Sequence, residues 1–365
     1  MRRVVFNMHD ERPAWAPPSW VTERLRAALP ADCELVEVGA AVSGRGDGGG
    51  VSAEAVAAIR GAEIYFGLGL PRELLDAALA PPTRLRWIHT GAAGVASLLH
   101  PEIQANDVIL TNSAGVHAPP IAETVLGMIL HFARGLDYAA RSQQRASWDT
   151  TAFEGADGGI REIDGAILGI VGYGGIGRAL AGRASALGMR VQATRRRASA
   201  SVADEAGSGV AGGSVSGSDV AGAGGVQVMT GTEGLNELLA AADFVVLSVP
   251  STASTRRMIG SAELARMRTG AVLINVARGD IVDEAALIDA LRNRRIRGAG
   301  LDVFTTEPLP PDSALWTLDN VLITPHVSAT TPRYWERELD LILANLGRYH
   351  AGQPLHNVVD PIVGY

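Results

Sequence analysis

One short segment restricts this chain more than anything else in it. The apolar run AILGIV (166–171) leads straight into Gly172, Gly174 and Gly177, spaced G-x-G-x-x-G, and these open an alanine-rich helical stretch, GRALAGRASALG. In such a strand–turn–helix the first glycine permits a tight turn and the second lets a pyrophosphate approach the backbone. The third allows the helix to pack closely on the strand. The free N–H groups at the helix start attract the anion. In this context the spacing predicts a parallel sheet with a dinucleotide site; out of context the same glycines would read as a structural turn.

The rest of the chain follows the same alternation. RVVFNM, CELVEV, AEIYFGL, RLRWIHT and DVILTN read as strands, with SWVTERLRAAL, VSAEAVAAIR and RELLDAAL as helices between them. Residues 117–145 read as one long helix, with Pro119 and Pro120 in its first turn and Ile121, Val125, Ile129 and Phe132 as its apolar stripe. A second series follows: AILGIV, RVQAT, DFVVLSV, AVLINV, GAGLDV and NVLITP. These are near-continuous apolar runs, as strands covered on both faces require. A last helix, 332–349, carries Trp335, Leu339, Ile342, Leu346 and Tyr349 on one stripe. With 365 residues the chain has room for two domains, and both are expected to be doubly wound α/β units.

Composition narrows the partners. The 32 basic against 39 acidic side chains leave a formal charge of −7, which argues against a nucleic-acid binder. A single cysteine, Cys33, supports neither an internal disulfide nor a zinc cluster, so no metal is expected. No stretch approaches the ~20 apolar residues of a membrane helix, and no long apolar run follows the N-terminal arginines. The expectation is a cytoplasmic protein with no membrane partner. SGRGDGGG (43–50) and the Gly/Ala/Ser/Val tract at 198–225 read as flexible insertions, and Arg45, Gly46 and Asp47 as a chance triplet.

Candidate chemistry lies where strands end. About twenty residues beyond Gly172 an NAD site usually has a carboxylate for the ribose hydroxyls. Here RVQAT runs into Thr194, Arg195, Arg196 and Arg197, with no acid among them. Arginine matches a 2′-phosphate, so this segment favours NADP, with NAD still open and a solvated basic turn as the alternative. Further on, Arg278 follows AVLINV, Asp302 and Glu307 follow GAGLDV, and His326 follows NVLITP. In an open parallel sheet ligands bind beyond the carboxyl ends of the strands. A guanidinium can hold a 2-oxo acid's carboxylate and polarise its carbonyl, and a histidine can protonate the oxygen as hydride reaches carbon. A neighbouring carboxylate orients the imidazole and favours its charged form. Singly, each has a plainer reading: Arg278 in a surface ion pair, Glu307 as a turn residue before Pro308, His326 in a capped loop.

Taken together, the ordered motifs WIHTGAAGV, TNSAGVHAPPIAETVLG, GIVGYGGIG, NVARGDIVDEAAL, GLDVFTTEPLPPDSALW and NVLITPHVSA resemble the D-isomer-specific 2-hydroxyacid dehydrogenase family over almost the whole chain. The resemblance implies a Rossmann-type dinucleotide domain (113–326) inserted into a flavodoxin-like substrate domain (1–112), which the C-terminal helix (327–365) rejoins. It implies Arg278, Glu307 and His326 as catalytic residues, and a substrate-carboxylate loop at 90–95 whose Ala93 and Gly94 join Arg278 in binding the acid. Cofactor contacts would fall on Gly172, Gly174, Gly175, Ile176 and Gly177, then on Thr194, Arg195 and Arg196. The rest would be Val249, Pro250, Thr255, Val276, Ala277, Arg278, Asp302, His326, Ser328 and Ala329. The active site would lie in the cleft between domains, and a homodimer through the dinucleotide domain is implied.

The formate-oxidising branch carries glutamine where this chain has Glu307, and GVHAPPIAE, TRRR and Trp335 look most like the glyoxylate and hydroxypyruvate reductases. Trp87, Trp148, Tyr334 and Trp335 are candidates for the pocket wall, and His9 and His117 for the cleft, against ordinary packing. The leading function is NAD(P)H-dependent reduction of a small 2-oxo acid to the D-2-hydroxy acid. The alternatives are a dinucleotide-sensing, corepressor-like protein and a formate- or phosphite-type oxidising dehydrogenase.

Overall fold

The computed structural model describes residues 1–39, 51–95, 98–154, 160–196 and 225–360. Both insertions expected from composition, 43–50 and the 198–225 tract except Gly225, lie outside these residues, as does Arg197. Two compact units are resolved, one within Met1–His117 and Thr330–Tyr365, the other within Ala118–Ala206 and Val215–Ala329.

In the first unit five parallel strands stand in the order β2-β1-β3-β4-β5: β1 Arg2–Asn7, β2 Cys33–Glu37, β3 Ile64–Gly67, β4 Trp87–Thr90 and β5 Ile109–Asn112. That is the flavodoxin-like winding. Side chains alternate across the sheet. Val5, Tyr65, Ile88 and Leu110 pack with helices Ala53–Ile59 and Arg72–Leu79. Val4, Phe6, Ile64, Phe66 and Trp87 face helices Ser19–Ala28 and Tyr334–His350 instead.

The second unit has seven parallel strands: β6 Ile167–Val171, β7 Arg190–Arg195, β8 Gln227–Thr230, β9 Phe244–Leu247, β10 Val272–Asn275, β11 Gly298–Leu301 and β12 Val321–Ile323. Their order, β12-β11-β10-β9-β6-β7-β8, reverses beside β6 as in a Rossmann fold. Leu168, Ile170, Phe244, Val246 and Ile274 bury against helices Ala118–Ala133 and Gly175–Ala186. Val171, Val245, Leu247 and Leu273 bury on the opposite face against helices Gly231–Ala241 and Glu284–Arg292. Every strand expected from the sequence is present. β8 was not expected: it is an edge strand, its Gln227, Val228 and Thr230 are exposed, and it lacks the apolar run of a covered strand.

The long helix expected over 117–145 is two helices, Ala118–Ala133 and Leu136–Gln144. Gly135 between them has φ +66°, a left-handed conformation that ends one helix and starts the next. The aromatic candidates divide by burial. Trp87, Tyr334 and Trp335 are buried core side chains of the first unit, and Trp148 is 98% exposed. His9 packs edge-on to Phe6, and His117 stacks on Tyr334 within the same unit. No helix of the described residues is long and apolar enough to cross a membrane.

Candidate active site

The glycine turn after β6 has the geometry its spacing implies. Gly172 has φ +103°, and a Cβ on it would stand 2.7 Å from Val249 Cγ1 and 2.8 Å from the Ser248 carbonyl. A Cβ on Gly177 would stand 2.5 Å from Gly172 O, so these two glycines are needed for packing. Gly174 differs. It is exposed, a Cβ there would meet nothing within 4 Å, and no side chain caps the helix it begins. The start of Gly175–Ala186 therefore presents N–H groups beside open space, which fits a dinucleotide's pyrophosphate. Ser248 Oγ donates to Gly172 O at 2.7 Å and ties the end of β9 to the turn.

At the proposed 2′-phosphate segment the strand is longer than expected. β7 runs on through Arg195, which pairs with Thr230 of β8. Thr194 is thus inside the sheet and 7% exposed, not an open donor at a loop. Arg196 is the exposed residue just past the strand, and Arg195 is half-buried. Val249 is half-buried and Pro250 exposed. Thr255 serves its own loop: its hydroxyl donates to Pro250 O at 2.6 Å and accepts from Thr252 N–H at 2.8 Å.

Arg278 is exposed immediately beyond β10. The turn that carries it is closed by buried Asn275, whose Oδ1 accepts from Ala277 N–H at 3.1 Å and whose Nδ2 donates to Arg278 O at 2.9 Å. Arg278 Nη1 donates to Ala277 O at 2.7 Å, and Val276 and Ala277 are buried, so they offer backbone more than side chain. The next residue, Gly279, packs on the segment leading to Glu307: a Cβ there would lie 1.9 Å from Phe304 C and 2.3 Å from Thr305 N. Asp280 accepts from Ser251 Oγ at 2.7 Å and its carbonyl from Arg257 N–H at 2.7 Å. It therefore ties the 251–257 loop to the same strand end.

Glu307 and His326 meet. Glu307 Oε2 accepts from His326 Nδ1 at 2.7 Å, while Oε1 accepts from Phe304 N–H at 3.0 Å, which fixes the carboxylate. His326 is exposed and has φ +54°. Its left-handed turn is held by fully buried Asp302. Asp302 Oδ1 accepts from Thr324 Oγ1 at 2.6 Å and Val327 N–H at 2.9 Å, and Oδ2 from Ser328 N–H at 3.1 Å and the Ser328 hydroxyl. Asp302, expected as a cofactor contact, spends both oxygens on the histidine loop. Ser328 is buried in that network, and Ala329 packs on the core below.

Sequence reasoning assigned no role to Asn275, Gly279 or Asp280, although all three stand in NVARGD. The signal was there: an asparagine two residues before a buried N–H can close the turn on itself. Ala93 and Gly94 belong to the first unit, where both are exposed beyond β4.

A family model described as D-isomer specific 2-hydroxyacid dehydrogenase, NAD binding domain, matches residues 126–213 and 214–328. The D-3-phosphoglycerate dehydrogenase of Methanocaldococcus jannaschii is 31% identical over 297 residues, 81% of this chain and 51% of that protein, so the chain spans about half its length. The glyoxylate/hydroxypyruvate reductase B of Serratia proteamaculans is 32% identical over 305 residues, 83% of this chain and 86% of that protein. Among solved structures, a D-isomer specific 2-hydroxyacid dehydrogenase from Xanthobacter autotrophicus Py2, in complex with NADPH and MES, aligns over 100% of this chain and 99% of its own. Its TM-score is 0.74 at 30% identity.

Proposed function

The chain belongs to the D-isomer specific 2-hydroxyacid dehydrogenases, in their glyoxylate reductase-like branch, and from that premise we propose that it reduces a small 2-oxo acid to the D-2-hydroxy acid with NADPH. The acid is of the glyoxylate or hydroxypyruvate kind. The observation that carries the reading is the Glu307–His326 pair, 2.7 Å apart, in the same unit as the open glycine turn at Gly174.

The residues divide the work. When bound, the dinucleotide supplies the hydride. Glu307 holds Nδ1 of His326 and balances the charge on the ring, which leaves Nε2 to protonate the substrate's carbonyl oxygen. Arg278 binds the carboxylate and polarises the adjacent carbonyl. Backbone N–H groups of Ala93 and Gly94 receive the same carboxylate. The glycine turn and the N-terminus of Gly175–Ala186 hold the pyrophosphate. Arg195 and Arg196 set the preference for NADP over NAD through the 2′-phosphate. With this reading go a homodimer, as the family resemblance implies, and a cytoplasmic location, as the composition suggests.

Purified protein mixed with NADPH and glyoxylate or hydroxypyruvate should consume NADPH, followed as loss of nicotinamide absorbance. Binding of NADPH with no turnover on any 2-oxo acid would overturn the reading in favour of a dinucleotide sensor. NADP reduction by formate or phosphite alone would overturn it in favour of an oxidising dehydrogenase.

A further inference from the structure

The first unit contains a buried polar cluster that none of the roles above uses, and it lies under the loop that follows β4. Four consecutive carbonyls, from Thr90 at the end of β4 into that loop, are each bonded from within the unit. Ser113 Oγ lies 2.8 Å from Thr90 O, and Tyr334 O–H donates to Gly91 O at 3.1 Å. Ser113 N–H donates to Ala92 O at 3.2 Å, and Asn112 Nδ2 to Ala93 O at 2.9 Å. Occupying the carbonyls in this way turns the acceptor oxygens away from a ligand and leaves N–H groups for an anion. Ala93 and Gly94 are the exposed residues of this loop.

The C-terminal helix Tyr334–His350 supplies the support. Tyr334 and Glu338 lie four residues apart, one turn along the same face. Glu338 is fully buried, and its Oε1 stands 2.8 Å from Ser113 Oγ and 2.9 Å from His89 Nε2. His89 Nδ1 lies 2.9 Å from Thr111 Oγ1, which accepts from Trp87 Nε1–H at 2.8 Å. The reach of Tyr334 depends on a glycine: a Cβ at Gly91 would stand 2.6 Å from the Tyr334 hydroxyl oxygen and 2.5 Å from Met8 Cε. Burial, with the nearby Glu338 and Asp10 charges, pushes the Tyr334 phenol well above its ordinary value and keeps it a donor. Burying a carboxylate beside a histidine is costly in desolvation, so stability alone is a poor account of such a cluster.

We infer that Tyr334, Ser113 and Glu338 are positioning residues for the substrate's carboxylate: Ser113 N–H, with Asn112 Nδ2, holds the carbonyls of Ala92 and Ala93 inward and so turns the N–H groups of Ala93 and Gly94 toward the anion, while the Tyr334 and Ser113 hydroxyls, with Glu338 beside Ser113, fix the two peptides that lead into them. This rests on the 2-oxo acid reading above. Two variants remove one hydroxyl each and leave the rest of the packing: Tyr334→Phe and Ser113→Ala. Each is compared with wild type in KM for the 2-oxo acid, in kcat, in NADPH affinity and in urea midpoint. Binding of oxamate, a non-reacting analogue, to the NADPH-saturated protein is measured by calorimetric titration.

In each variant KM and the oxamate Kd should rise by about tenfold, the scale of one misplaced hydrogen-bonding group, with kcat and NADPH affinity close to wild type. Wild-type oxamate affinity in both variants would overturn the inference and leave the 2-oxo acid reading standing. So would a lowered urea midpoint with KM unchanged, the mark of a purely structural role. A wild-type protein that binds no oxamate and reduces no 2-oxo acid overturns both.

Discussion

Replacing Gly279 with alanine tests how tightly the proposed catalytic groups are set relative to one another. The added Cβ would stand 1.9 Å from Phe304 C, about 1.5 Å short of the 3.4 Å at which ordinary contact begins. The obstructing atoms are backbone, so no side chain can swing aside. Either the strand end carrying Arg278 or the segment leading to Glu307 must move, and Glu307 moves with it because its Oε1 is tied to Phe304 N–H. A misplacement of about 1 Å can cost roughly 10²-fold in rate, and overpacking of this kind costs about 1–3 kcal/mol in stability. Gly279→Ala should therefore lower kcat/KM by about 10²-fold while the protein remains folded. NADPH affinity, set at the glycine turn after β6, should hold. Steady-state kinetics, a fluorescence titration with NADPH and urea unfolding would read the three quantities. Near-normal kcat/KM would refute the claim that this backbone contact sets the geometry of Arg278 and Glu307.

Glu307→Gln should lower kcat by about 10–10²-fold with NADPH binding unchanged, since the variant keeps the shape of the side chain and removes the charge beside His326. Wild-type kcat would return Glu307 to the status of a turn residue. The double change Arg195→Ala with Arg196→Ala should weaken NADPH by about one to two powers of ten and leave NADH almost untouched. An NADH preference in the wild type, measured as kcat/KM at fixed oxo acid, would contradict the assignment of these arginines to the 2′-phosphate.

What the sequence discloses depends on how local the determining physics is. The β6 turn was legible because a covered strand, three spaced glycines and a helix start follow one another in the chain, and the close contact at Gly177, with Gly172 O, falls within that segment; those at Gly172, with Ser248 and Val249, do not. Strands covered on both faces announced themselves as apolar runs; β8, at an edge with little to bury, did not. The break at Gly135 was hidden because the apolar stripe continues up to Phe132 and the glycine alone marks the reversal. The full extent of β7 was hidden because Arg195 joins the strand by pairing with β8, a segment distant in sequence. Tertiary partners decided the remaining cases. The partners of the Asp302 carboxylate, residues 324–328, follow from tertiary packing and not from its place at a strand end. Tyr334 and Glu338 read as members of a helix, and their polar atoms act on a loop more than two hundred residues earlier.

In the proposed reaction His326, held by Glu307, delivers the proton to the substrate as hydride arrives. The most direct test of that step is the single-turnover rate of NADPH oxidation by a 2-oxo acid in wild type and in His326→Ala, with NADPH already bound. The rate should be lower by about 10²–10⁴-fold in the variant, with NADPH affinity unchanged. A variant that oxidises NADPH at the wild-type rate would contradict that role for His326.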